Sequence, residues 1–166
     1  MRVAGIDGST NKTGIAVFEN GQYVTHTLVD HHKITDSDIR IPKMMHDISQ
    51  YLDQYKMDKI IMEKSIFKKN IDTVQKLSNI AGAVMFYAMD RGIEFEFLLP
   101  SQWRKRIGLE QSKNVKRDDL KAEAILAVQQ EYGLTVTDDE AEAILLARSG
   151  FDLPKLNITQ DDIWGE

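Results

Sequence analysis

Residues 2–29 read as three short strands in immediate succession, RVAGID (2–7), KTGIAVFE (12–19) and QYVTHTLV (22–29). Gly8-Ser9-Thr10-Asn11 and Glu19-Asn20-Gly21 supply the polar turns between them, and Asn-Gly is a favoured hairpin pair because both residues accept positive φ. Such a meander lays down half a sheet before any helix has formed. Whatever follows must extend that sheet and cover its faces. The next segment is a helix capped near Asp36 to Asp38, with Ile41, Met44, Met45, Ile48, Tyr51, Leu52 and Tyr55 forming one stripe at helical period. KIIME (59–63) is a fully apolar strand closed by an acid, and residues 71–90 form a long helix centred on IAGAVMFYAM. That helix is apolar nearly all round, so it is either deeply buried or shared with a partner subunit.

A strand over 93–99 ends at Pro100 and leads into a short basic helix, Ser101 to Ile107. Helices follow over 116–131, stopping near Gly133, and over 138–149. This order predicts an α/β domain spanning 1–150, with an acidic tail at 151–166. Its core is a mixed five-stranded sheet, three antiparallel strands followed by parallel ones, with helices on both faces. With 166 residues, 42% of them hydrophobic, the chain can bury a substantial core. The absence of Cys rules out disulfides and Cys-ligated zinc. No apolar run approaches the roughly 18 residues of a membrane helix, and the first residues are already a strand, so a cytosolic protein is expected.

Net charge is −5, yet the charge is segregated. Windows 64–76 and 104–121 hold 11 of the 21 Lys and Arg and only four acids, Asp72, Glu110, Asp118 and Asp119. They carry +7 and the remainder −12. A basic surface on an acidic protein suits contact with backbone phosphates, although two solvated helix faces would give the same count.

Two apolar strands each finish on one carboxylate, Asp7 and Glu63. Asp7 has three readings: hairpin turn chemistry, a metal ligand at a strand end, or the start of a phosphate-cradling loop. If the two strands are neighbours, both acids emerge at one sheet edge. In TDDEAEAILLA (137–147), Thr137 and Glu140 have capping-box spacing, which puts Asp138, Asp139 and Glu142 in the opening turns of a helix. Asp139 and Glu142 share a helix face. Acids there are also favoured by the helix dipole alone. Gathered together, Asp7, Glu63, Asp139 and Glu142 could not all ionise without a counter-charge. A pair of Mg²⁺ ions is the natural remedy, and two such ions about 4 Å apart suit phosphodiester cleavage.

Three blocks of the sequence resemble the RuvC-type Holliday-junction resolvases of the RNase H-like (retroviral integrase) superfamily. GIDGSTNKTGIAV resembles the family's first strand, turn and second strand, with Gly8 where proline is usual. IIMEKSIFKKNIDTVQKLSNIAGAV resembles the second-acid strand, its loop and the long helix, and DDEAEAILLA the late acidic helix. The resemblance implies Asp7, Glu63 and Asp139 as metal ligands, with Glu142 in place of a fourth aspartate and Asp138 as a fallback should the register shift. It implies Lys116 near the scissile phosphate, where it would stabilise developing charge, and Arg104 or Lys105 at a second basic position. The loop residue offered to unpaired bases falls on Ile66, with Phe67 beside it the better stacking group. Lys64, Lys68, Lys69, Lys113, Lys116, Arg117 and Lys121 would hold phosphates.

A Mg²⁺-dependent endodeoxyribonuclease is therefore expected, with Mn²⁺ able to substitute for Mg²⁺. It would be a homodimer joined through helix 71–90 that nicks opposed strands of a four-way junction, leaving 5′-phosphate and 3′-hydroxyl ends. The short chain and its departures from the family pattern point toward a bacteriophage branch. Two other readings remain. A junction-binding dimer that has lost catalysis would accommodate the changes at 8 and 142. An actin-like or sugar-kinase-type ATPase shares a D-x-G-[ST] turn but needs a second glycine-rich loop and a second domain. His31 and His32 lie in a polar loop and are not expected to be ligands.

Overall fold

A computed structural model describes residues 1–64, 70–109, 115–156 and 158. The strands are β1 (Arg2–Gly8), β2 (Lys12–Glu19), β3 (Gln22–Asp30), β4 (Lys59–Glu63) and β5 (Glu94–Leu98). The helices are α1 (Ser37–Asp53), α2 (Ile71–Asp90), α3 (Pro100–Ile107), α4 (Arg117–Tyr132) and α5 (Asp138–Arg148). The strands form one sheet in the order β3-β2-β1-β4-β5. The first three strands pair antiparallel, while β4 and β5 join parallel. The second bend uses Asn20 and Gly21 at φ 50° and 81°, the conformation that Asn-Gly favours.

Side-chain alternation divides the sheet between two cores. Ala4, Ile6, Ile15, Val17, Ile60 and Met62 face α1 and α2, meeting Ile41, Met44, Ile48 and Leu52 of α1 and Ile80 and Val84 of α2. Val3, Ala16, Phe18, Ile61 and Leu98 face the opposite side, against α3, α4 and α5. α5 is buried along almost its whole length from Ala141 onward. It lies with its backbone directly on the sheet because glycine stands beneath it. A Cβ at Gly5 would be 2.2 Å from the Ala143 carbonyl oxygen, and one at Gly14 would be 2.1 Å from that of Asp139.

Beyond α5 the chain folds back onto the core. Leu156 is buried and its N–H donates to the Ile107 carbonyl at 2.7 Å. Arg148 Nη2 donates to the Pro154 carbonyl at 2.7 Å. The first part of the acidic tail is thus docked. Among the described residues, no helix is long and apolar enough to cross a membrane.

Candidate metal centre

In the parallel pair, Ile6 stands opposite Met62, so the next residues along, Asp7 and Glu63, emerge side by side at the C-terminal ends of β1 and β4. Across the hairpin Asp7 faces Gly14, the residue on which the first turn of α5 rests. The Thr137 hydroxyl accepts from the Glu140 N–H, while the Glu140 carboxylate accepts from the Thr137 N–H, closing the expected capping box. That cap sets the register of α5 and aims Glu142 at the strand ends. Carboxylate oxygens of Asp7, Glu63 and Glu142 all lie within 4.8 Å of one another.

Asp139 sits one turn before Glu142 and adds its charge to the field at Asp7. Asp138 is held elsewhere by an ion pair with Lys121. Burial pushes the Asp138 carboxyl up, but the lysine outweighs it and the net shift is downward. The fallback ligand is therefore engaged in an ion pair, and Asp139 is not among the three acids whose oxygens converge.

The acids are poorly balanced. Burial pushes Asp7 well above the carboxylate range, and the charges of Glu142, Glu63 and Asp139 add to the rise. Glu63 is pushed up to about 7, first by burial and then by Glu142, against the opposing pull of Trp103, Arg104 and Arg117. Burial also raises Asp139, with Asp138 adding to it. A buried set of carboxylates in this state, with oxygen donors converging on one point, fits a hard divalent cation.

The basic residues divide. Lys64, Lys105, Lys116 and Arg117 are exposed, and Lys116 caps the start of α4. Arg117 is near enough to draw the Glu63 pKa downward. Lys121 is committed to Asp138. Arg104 corrects the sequence expectation: it is 1% exposed and holds no surface position from which to meet a phosphate. Its Nη1 donates to Glu123 Oε2 at 2.6 Å, and its Nη2 donates to the Leu120 carbonyl at 2.7 Å. Nη2 also lies 3.6 Å from Glu142 Oε1. Next to it, the Trp103 indole Nε1 donates to Glu63 Oε2 at 2.8 Å. Neither inward contact is visible in PSQWRKRI read as a basic helix. The available signal was that Arg104 shares a face with Ile107, three residues on.

Ile66, Phe67, Lys68, Lys69 and Lys113 lie outside the described residues. His31 bonds to Asp47 and His32 to Asp30, rather than to any clustered acid. At Gly8 an added Cβ would meet only the flexible Met62 Cε, at 2.9 Å. No other close contact holds that position to glycine.

A 3-2-1-4-5 sheet with acids at the ends of β1 and β4 and at the head of a helix packed on them defines an RNase H-like protein with a candidate divalent-metal centre. Within that class, the family model described as crossover junction endodeoxyribonuclease RuvC matches residues 3–147, and the chain belongs to that family. The Mycobacterium leprae crossover junction endodeoxyribonuclease RuvC is 27% identical over 152 residues, covering 89% of this chain and 79% of the relative. The Pseudothermotoga lettingae protein of the same description is 26% identical over 151 residues, covering 89% and 91%. In fold, the chain is similar to T. thermophilus RuvC in complex with Holliday junction substrate, with a TM-score of 0.72 at 19% identity over 90% of this chain and 91% of that one. Fowlpox virus resolvase, in complex with Holliday junction DNA, gives a TM-score of 0.56 at 17% identity, covering 89% and 97%.

Proposed function

We propose that this chain is a Mg²⁺-dependent endodeoxyribonuclease that resolves four-way DNA junctions. The observation that carries the reading is the convergence of Asp7, Glu63 and Glu142 within 4.8 Å at one sheet edge, in a chain of the RuvC family. Asp7, Glu63, Asp139 and Glu142 would hold two Mg²⁺ ions, for which Mn²⁺ would substitute. When bound, these supply the positive charge that lets the acids ionise together and a Lewis acid toward the phosphodiester. The chain's own groups do the rest. Lys116 stabilises charge developing on the scissile phosphate, while Arg117, Lys64 and Lys105 hold neighbouring phosphates and make binding steeply salt-dependent. Water attacks phosphorus in line with the departing 3′-oxygen, leaving a 5′-phosphate and a 3′-hydroxyl. A bacterial cytosol, in a cell or under phage infection, is the setting such a substrate implies.

The test is a labelled four-way junction incubated with the protein in Mg²⁺ and separately in Ca²⁺. Paired symmetric nicks in Mg²⁺ and binding without cleavage in Ca²⁺ are expected. Binding with no cut in Mg²⁺ or Mn²⁺ would instead identify a junction-binding module.

Paired nicks require two centres, and α2 supports a homodimer. Its buried stripe of Leu77, Ile80, Val84 and Tyr87 leaves Phe86 64% and Met89 72% exposed beside Met85. An exposed patch of this kind marks an interaction surface. Phe86→Glu with Met89→Glu is expected to convert a dimer into a monomer in sedimentation analysis and to uncouple the two nicks. An unchanged sedimentation coefficient would place the interface elsewhere.

A further inference from the structure

Trp103 and Arg104 are consecutive residues of α3, both buried, and each reaches a different acid of the centre. Side chains at successive helical positions diverge by about 100°, so one helix can address two carboxylates on separate elements. The indole N–H bonds Oε2 of Glu63 on β4. The guanidinium lies 3.6 Å from Oε1 of Glu142 on α5, while its other contacts, Glu123 Oε2 and the Leu120 carbonyl, fasten it to α4. Trp103 is fully buried in the core with Leu98 and the α5 apolar residues, which hold its ring toward Glu63. Arg104 stacks at 4.7 Å over the Trp103 ring, which ties the two contacts together.

On the reading that Asp7, Glu63, Asp139 and Glu142 hold divalent cations, we infer that α3 is the positioning helix of the centre. Trp103 occupies Oε2 of Glu63, which would leave Oε1 for a cation, while Arg104 lies against Glu142 and joins it to α4. Both residues would act through the carboxylates they contact. A donor that orients a metal-bound carboxylate typically accounts for about 10–100-fold in metal affinity. Lysine cannot replace Arg104, because a single ammonium does not span acceptors on α4 and α5 as the planar fork does.

Isothermal calorimetry with Mn²⁺ alone, in the absence of DNA, tests the inference on the full chain. Trp103→Phe keeps most of the buried ring and removes the N–H, and it is expected to weaken Mn²⁺ affinity at least tenfold. Arg104→Lys is expected to do the same. Ile107→Ala opens a cavity under the same helix without removing a hydrogen bond to a carboxylate, and it is expected to leave the affinity within about twofold of the parent on the same scale. Denaturant melts establish that each variant is folded. Unchanged affinity in Trp103→Phe and Arg104→Lys, or an equal loss in Ile107→Ala, would overturn the positioning role. Failure of the parent chain to bind Mn²⁺ would overturn the metal-centre reading itself.

Discussion

Asp7→Asn is expected to bind a four-way junction with near-native affinity, to cut it at no measurable rate, and to melt at a higher temperature than the parent when divalent cations are removed. The last result separates a metal ligand from an ordinary structural acid. Asp7 is buried beside three other carboxylates, and its charge is opposed by burial and by each of them. A neutral isostere removes that opposition, so the metal-free fold gains stability. Glu63 carries the same signature: its pKa rises from 4.5 to about 7 on folding. The folded state therefore holds a proton that the unfolded state has released. The contribution of Glu63 to metal-free stability is therefore fully present below about pH 4.5 and is lost as pH rises toward 7, by an amount on the order of 2–3 kcal/mol.

Saturating Mg²⁺ is expected to reverse the order. The parent gains about 2.7 kcal/mol at one hundred times its dissociation constant, while Asp7→Asn gains little. Melting curves at neutral pH with EDTA and with Mg²⁺ should therefore cross. A metal-free Asp7→Asn protein less stable than the parent, or one that loses junction binding along with cleavage, would remove Asp7 from the centre.

The second large effect is expected at a position with no functional group. Gly14→Ala places a Cβ 2.1 Å from the Asp139 carbonyl oxygen and 2.6 Å from its carbon. Both are backbone atoms of a helix buried on the sheet, so no rotamer change can make room. Stability is expected to fall by about 3 kcal/mol or more in urea denaturation. Any folded fraction should bind Mn²⁺ poorly, because α5 must lift away from the strand that carries Asp7. Gly82→Ala is the matched control: nothing lies within 4 Å of its added carbon, and it sits inside α2. Replacing that glycine is expected to stabilise by roughly 0.5–1 kcal/mol. Similar behaviour of the two variants would contradict the close approach of α5.

These contrasts show where sequence reading succeeds. Asp7 and Glu63 stand out because a charge at the end of an uninterrupted apolar strand has no solvated alternative on its own element. The α5 cap was legible because Thr137 and Glu140 have a spacing with one local meaning. The boundaries of β4 and α2 coincide with the sequence expectation for the same kind of reason. Arg104 shows the opposite case. In PSQWRKRI three consecutive cations look alike, and only the burial of Trp103 and Ile107 turns one of them inward. Gly5 and Gly14 were equally silent, since their importance lies in a backbone that arrives from more than a hundred residues away.

That separation bears on the order in which the protein acquires its chemistry. Asp7 lies on the first of three strands contiguous in sequence and Glu63 on β4, whereas Glu142 sits on α5. Contacts so distant along the chain are slow to form and come late. A chain still emerging from a ribosome can therefore present Asp7 and Glu63 while lacking the carboxylate that completes the cluster. The three-acid cluster is complete only once α5 has docked on the sheet.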